Sequence, residues 1–232
     1  MKRKVAVLSG AGMSADSGLK TFRGEGGLWE GHDVMEVASI DGWNRNPELV
    51  LKFYNQRRKQ LKYVSPNSAH IALVDLEKKF DVHIITQNVD NLHERAGSNN
   101  VLHLHGRLDM VRPVSNPESI KEWKDDLNLG DVDEYGNQLR PHVVWFGENV
   151  PNIFKAIEII KTVGIVIIIG TSMQVYPAAG LINYAPRNAQ IYYLDPSPSI
   201  SVEFKLLKNL TILKDNAVNA TPKLVKDLLH EE

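Results

Sequence analysis

Apolar residues fall along this chain in short unbroken runs that alternate with longer stretches where they recur three and four positions apart. The runs at 5–8 (VAVL), 81–86 (DVHIIT), 101–104 (VLHL), 164–169 (GIVIII), 190–194 (QIYYL) and 210–213 (LTIL) have the length of strands. The run at 164–169 is apolar at every position after its glycine, as a central parallel strand covered on both faces must be. The helical stretches carry start signals. Asn46-Pro47-Glu48 offers a cap, a proline at the first helical position and an acid in the first turn, and predicts a helix to about Leu61. Ser65-Pro66-Asn67 predicts another, with Ile71, Leu73, Val74 and Leu76 facing a core. A helix over 152–161 and a last one capped by Thr221, with Pro222 at its first position, complete the set. This alternation predicts an α/β fold with a doubly wound, Rossmann-like parallel sheet. Between 107 and 140 the pattern decays among prolines and acids, which predicts an inserted excursion of short irregular elements packed by Trp123, Leu127, Leu129 and Tyr135.

Polar residues cluster just past five of the strands, at Gly10, Gln87, His105, Gly170 and Asp195. In open α/β sheets that edge is where ligands bind. Gly10-Ala11-Gly12 with Ala15 fits the G-x-G-x-x-G/A turn, in which a helix N-terminus meets a pyrophosphate, although small residues serve any tight strand-to-helix junction. Gly18 cuts the helix-compatible part short, and 21–27 is a glycine-rich loop whose Phe22 and Arg23 suit a lid, or an ordinary surface loop with one buried Phe. Asp195 could hold a ribose hydroxyl or cap a helix. His105 beside a glycine at a strand end suits a general base near neutral pH, whereas His103 points to the opposite side and is structural. Asp90 could orient an amide or cap the helix beginning at Asn91.

The 232 residues carry a net charge of −1 with mixed signs, so neither nucleic acid nor membrane is expected as a partner. No run has the length of a membrane span and the N-terminus lacks a signal-peptide core, which predicts a cytoplasmic protein. Cysteine is absent, which removes disulfides, thiol nucleophiles and thiolate metal sites together. A P-loop, a Ser-His-Asp nucleophile elbow and histidines at zincin spacing are missing as well.

GAGMSADSG with TFRG, then TQNVDNLHERAG, HLHG, VVWFGE, GTSMQVYPAAG and YLDPS, in this order and spacing, resemble the sirtuins, NAD-dependent protein-lysine deacylases. The resemblance is closest to bacterial members of the desuccinylase and demalonylase type. It implies an NAD-binding large domain of 1–30, 68–106 and 142–232, and a small lobe of 31–67 and 107–141. It implies that Gly10, Ala11, Gly12, Ser14, Ala15, Phe22, Arg23 and Trp29 grip NAD, with Gln87, Asn88 and Asp90 shaping the ribose and nicotinamide pocket. Gly170, Thr171, Ser172, Tyr193, Leu194 and Asp195 would hold the adenosine half, closed over by Ala217. His105, with Asn88 and Asp90, would be catalytic, giving free lysine, nicotinamide and O-acyl-ADP-ribose. An acylated protein or peptide would lie extended along 144–148 and 173–176, touching Val144, Phe146, Gly147 and Val175. Tyr54 and Arg57, three apart on one helix face, would receive a succinyl or malonyl carboxylate. Sirtuins ordinarily hold a structural zinc with four cysteines; this chain has none, so no zinc is expected. The alternative is a non-catalytic sensor of NAD or ADP-ribose.

Overall fold

A computed structural model describes residues 2–20, 28–29, 31–200, 202–205 and 207–231. Among them the strands are β1 (Lys4–Ser9), β2 (Leu28–Trp29), β3 (His32–Asp33), β4 (Asp81–Thr86), β5 (Val101–His103), β6 (Gly106–Pro113), β7 (Lys121–Glu122), β8 (Leu139–Val143), β9 (Ile165–Ile169), β10 (Gln190–Leu194) and β11 (Leu210–Leu213). The helices are α1 (Val34–Val37), α2 (Ile40–Arg45), α3 (Pro47–Leu61), α4 (Ser68–Leu76), α5 (Leu92–Ala96), α6 (Ile153–Ile160), α7 (Val202–Lys205) and α8 (Ala217–His230). None is long and apolar enough to cross a membrane.

The expected doubly wound sheet is present: six parallel strands in the order β11-β10-β9-β1-β4-β5. Alternate residues serve alternate faces, which is why its centre is apolar throughout. Ile165, Ile167 and Ile169 pack with Val5, Val7, Leu73, Leu76, Leu224 and Leu228 under α4 and α8. Val166 and Ile168 pack on the other side with Ala6, Leu8, Ile160 and Leu181. The winding reverses between β1 and β9, so Gly10 and Gly170 leave neighbouring strands at the switch point, the place where such sheets bind ligands.

Three local expectations need correction. Helix α4 starts just after the Ser65-Pro66-Asn67 signal, with Asn67 as its cap, but Ile71 is exposed and the buried face is Ala69, His70, Ala72, Leu73 and Leu76. The last helix starts at Ala217 because Asn216 accepts the Asn219 N–H at 3.1 Å; Thr221 and Pro222 lie inside it. Pro222 has no N–H for the carbonyl of Val218, and Ser68 Oγ of α4 donates there at 3.0 Å. Between 107 and 140 the short irregular elements occupy 114–138 apart from the two-residue β7, but the ends are regular: β6 joins β7 and β8 in an antiparallel sheet, order β7-β6-β8.

Packing and side-chain hydrogen bonds hold this lobe. Leu127 is buried and Trp123 partly so, whereas Leu129 and Tyr135 are exposed. Asn55 of α3 clasps Leu127 in both directions, donating to its carbonyl at 3.0 Å and accepting its N–H at 2.9 Å. Arg58 Nε donates to the Leu108 carbonyl at 2.9 Å. Gln138 ties Asn128, Gly130 and Asp131 together. Among the described residues no three His, Asp or Glu side chains are grouped as metal ligands.

His70 is fully buried and accepts the Asn67 N–H on Nδ1, and burial pushes its pKa down to about 4. It stays neutral in the fold while the unfolded chain takes up a proton below about 6.5. Its contribution is therefore present above pH 6.5 and lost as pH falls toward 4, by about 3 kcal/mol at roughly 1.4 kcal/mol per unit. Urea unfolding of the protein and of His70→Gln across this range should show a shallower acid slope in the variant; parallel slopes would refute the assignment.

Candidate active site

The two loops at the switch point nest on each other through glycine. Gly10 N donates to Ile169 O at 3.0 Å and Gly12 N to Gly170 O at 2.8 Å. A Cβ on Gly12 would lie 2.7 Å from Gly170 Cα, and Gly170 itself has φ of 58° with Met13 N only 2.3 Å from where its Cβ would be. The glycines are thus required for loop-on-loop contact in addition to any ligand. The chain then makes two three-residue 3-10 turns, Ala11–Met13 and Ala15–Ser17, ended by Gly18 at φ 97°, in place of the helix that the turn motif leads one to expect. Phe22 and Arg23 lie outside the described residues.

Beside this turn runs a buried polar chain. Asn88 Nδ2 donates to Gly10 O at 3.0 Å and to Ser14 Oγ at 3.2 Å, and Ser14 Oγ donates to Asp90 Oδ2 at 3.0 Å. Both Asn88 amide hydrogens are committed, so its side chain has only an acceptor left to offer. Asp90 also receives the Leu92 N–H at 3.1 Å, the contact that the capping reading of it calls for. Desolvation raises its carboxyl pKa above the ordinary range, against the lowering by those two donors.

Gln87 organises the other side. Its Nε2 donates to Thr171 Oγ1 at 3.0 Å, and its carbonyl lies 3.1 Å from His105 Nδ1. A carbonyl only accepts, so Nδ1 carries the hydrogen and Nε2 presents a lone pair. Burial lowers the pKa of His105 below its ordinary value, partly opposed by that same carbonyl. His103 points away as expected: Nδ1 meets Asn88 O at 2.9 Å and Nε2 meets Glu94 Oε1 at 2.7 Å, bracing the back of the Asn88 turn.

The segment after β8 is stitched between this group and the small lobe. Val144 N donates to His105 O at 2.9 Å; Phe146 N donates to Ala38 O at 2.9 Å and its carbonyl accepts Ile40 N at 3.1 Å. Gly147 has φ of 91° with Ile40 close behind it. Phe146 is 41% exposed beside half-buried Val144. Trp145, not singled out in the sequence, turns inward and donates from Nε1 to Tyr54 Oη at 2.9 Å. Tyr54 is fully buried, and burial raises its pKa, keeping the phenol protonated. Arg57 is half-buried, with its guanidinium 4.8 Å from the centroid of Phe53. Trp29 packs its ring on Phe53 and Tyr54, at 4.9 and 6.2 Å, so it sits with the Tyr54 group.

On the far side, Tyr193 donates its hydroxyl to Thr171 O at 2.9 Å and, like Leu194, is buried in the core, leaving only backbone to a ligand. Asp195 accepts the Ser197 N–H at 2.8 Å. Ser172 and Val175 are half-buried, and Ala217 opens α8 in the same core cluster as Met13. Direct hydrogen bonds therefore link Gly10, Ser14, Asn88 and Asp90, and separately Gln87, Thr171, His105 and Val144, on the carboxyl edge of one sheet. Tyr54, Arg57 and Trp29 form an adjoining group reached through Trp145. Missed at the sequence level are Trp145, whose partner Tyr54 is 91 positions away, and two pairs closer in the chain, Glu94 with His103 and Arg140 with Glu148.

The description of the Sir2 family matches residues 10–177. A Helicobacter pylori (strain J99) protein named NAD-dependent protein deacylase is 54% identical, over 98% of this chain and 96% of its own length. One of the same name from Bacteroides thetaiotaomicron is 49% identical over 98% of both. Among solved structures, a Sir2 homolog–NAD complex shares 35% identity with a TM-score of 0.86, covering 98% of this chain and 90% of that one. A Sir2–p53 peptide–NAD+ complex shares 28% with a TM-score of 0.79, covering 99% and 95%.

Proposed function

Because the chain belongs to the Sir2 family, we propose that it is an NAD-dependent protein-lysine deacylase that removes acetyl groups and also succinyl and malonyl groups. The observation that carries the reading is the fixed tautomer of His105 at the strand edge. The site fits the cofactor: loop glycines keep the switch point clear of side chains, and Asn88, Asp90 and Gln87 surround it with oriented polar groups. Gly10, Gly12, Ser14 and Thr171 would hold the phosphates and adenosine half. When bound, NAD supplies a ribose carbon with nicotinamide as leaving group and a hydroxyl that takes the acyl group.

His105 takes a proton at Nε2 while the Gln87 carbonyl holds its other nitrogen, so the ring cannot rotate to present the wrong atom. Val144 and Phe146 line the approach of the lysine, and an extended peptide pairs with the 144–148 segment in the manner of an added strand. Tyr54 and Arg57 receive the acyl carboxylate, a reading supported by the buried, protonated phenol of Tyr54 and the position of Arg57 one turn on.

Nicotinamide release tests the proposal. With NAD and peptides bearing acetyl-, malonyl- or succinyl-lysine, release should occur with each peptide and stop when it is omitted. NAD binding without peptide-dependent release would overturn the enzyme reading in favour of a sensor.

A further inference from the structure

Behind Tyr54 the structure holds Trp145 in a clamp with no slack. Its backbone N–H donates to Glu148 Oε2 at 2.9 Å. Arg140 lies over its ring, with the guanidinium carbon 3.4 Å from the centroid. Arg140 is in turn fixed by both oxygens of Glu148, at 2.7 and 2.9 Å, and by the Val143 carbonyl at 2.9 Å. Trp43 packs against the same ring at 5.4 Å. With backbone and ring both fixed, the indole N–H has one partner, the Tyr54 oxygen.

An indole nitrogen donates and never accepts, so this bond takes the in-plane lone pair with which the phenol accepts best, its second pair being drawn into the ring. What remains to Tyr54 is its hydrogen. A hydroxyl free at both ends can greet a donor or an acceptor; one whose better lone pair is already taken answers an acceptor far more readily than a second donor. A carboxylate is an acceptor with full charge, whereas a methyl group offers nothing to it. We propose that Trp145 is a specificity-determining positioning residue: by occupying the Tyr54 oxygen it makes that hydroxyl a dedicated donor for acidic acyl groups. The inference rests on the reading that Tyr54 and Arg57 receive the acyl carboxylate. The surroundings act in the same sense, since Arg140 and Arg112 share the single carboxylate of Glu148 and leave positive charge in excess behind the tryptophan.

The test is Trp145→Phe, which keeps an aromatic ring under Arg140 and removes the N–H. Its kcat/KM for a succinyl-lysine peptide should fall about 5- to 20-fold further than that for an acetyl-lysine peptide of the same sequence, the difference lying mainly in KM. In a Tyr54→Phe background the same change should cost nothing further, because the two act as one unit. Equal losses on both substrates, or full additivity in the double variant, would overturn the inference. With Trp145 intact, its indole N–H resonance should shift when a succinyl-lysine peptide with its reactive carbonyl blocked is added to the unaltered protein, and should differ in Tyr54→Phe; a signal indifferent to both would overturn the inference even if Trp145→Phe does not fold. If Tyr54→Phe leaves the succinyl-to-acetyl ratio unchanged, the acidic-acyl reading itself falls, and this inference with it. If Tyr54→Phe is selective and Trp145→Phe is not, only the inference falls.

Discussion

Turnover by His105→Ala is expected to fall roughly 10²–10⁴-fold while NAD affinity stays nearly unchanged, the signature of a base that acts in the reaction and contributes little to ground-state binding. The expectation rests on geometry first: the Nδ1–H is held by the Gln87 carbonyl, which leaves Nε2 as the only basic atom. Electrostatics add a pH signature. Burial lowers the His105 pKa, so the neutral base persists to more acid pH than an exposed histidine would allow. The activity assigned to it is present above that lowered pKa and lost as pH falls through it, so the acid limb of kcat/KM should bend below pH 6.5. Single-turnover rates and calorimetric NAD binding, measured on the protein and the variant from pH 5 to 8 (roughly the span in which histidine titrates), check both halves. Retained deacylation in the variant would remove His105 from the base role.

Arg57→Met should depress desuccinylation far more than deacetylation, by an amount on the order of 2–3 kcal/mol, or roughly 30- to 150-fold in kcat/KM, for the loss of a charged hydrogen-bonding partner. Methionine keeps the apolar stem against Phe53 while removing the guanidinium fork. The buried Tyr54 beside it lies where water screens little, so a carboxylate there gains more from Arg57 than it would at an open surface. Comparing succinyl, malonyl and acetyl peptides of one sequence separates this from a general defect. Equal losses on all three would show that Arg57 supports the helix alone, and the acidic-acyl assignment would be withdrawn.

The parts of the fold that could be read in advance are those whose signal is local. The all-apolar β9, the Asn46 cap, the Ser65-Pro66-Asn67 start signal and the five polar strand ends each announce themselves within a few residues. The small antiparallel sheet does not. Its strand β6 alternates from Gly106 to Leu108, slips at a register shift before Val111, and alternates again to Pro113, so the period of two is broken in its middle. The start of α8 was hidden for a related reason: Thr221–Pro222 satisfies the rules for a first turn, and only the distant hydroxyl of Ser68 makes that proline tolerable further in. The same limit applies to the site. Gly10, Gln87 and His105 could be picked out from spacing, while Trp145 acts through Tyr54, 91 positions away, and the Arg140–Glu148 pair, though close in the chain, takes its meaning from the ring that it holds against Tyr54.

The hydrogen-bonded lobe also sets which agents can unmake it. A lobe knit by thiolates and metal yields to chelators and to peroxide; here there is no thiol for an oxidant to reach and no thiolate-held ion to strip. The knots are amides and a guanidinium against backbone, the Asn55–Leu127 and Arg58–Leu108 ties, and urea and heat compete for bonds of that kind. Those ties leave α3 from the positions next to Tyr54 and Arg57, about a quarter turn away around the helix axis. If Tyr54 and Arg57 hold the acyl group as proposed, a stress that frays these ties tilts that face as well, so selectivity among acyl groups should weaken under mild denaturant before deacetylation itself is lost.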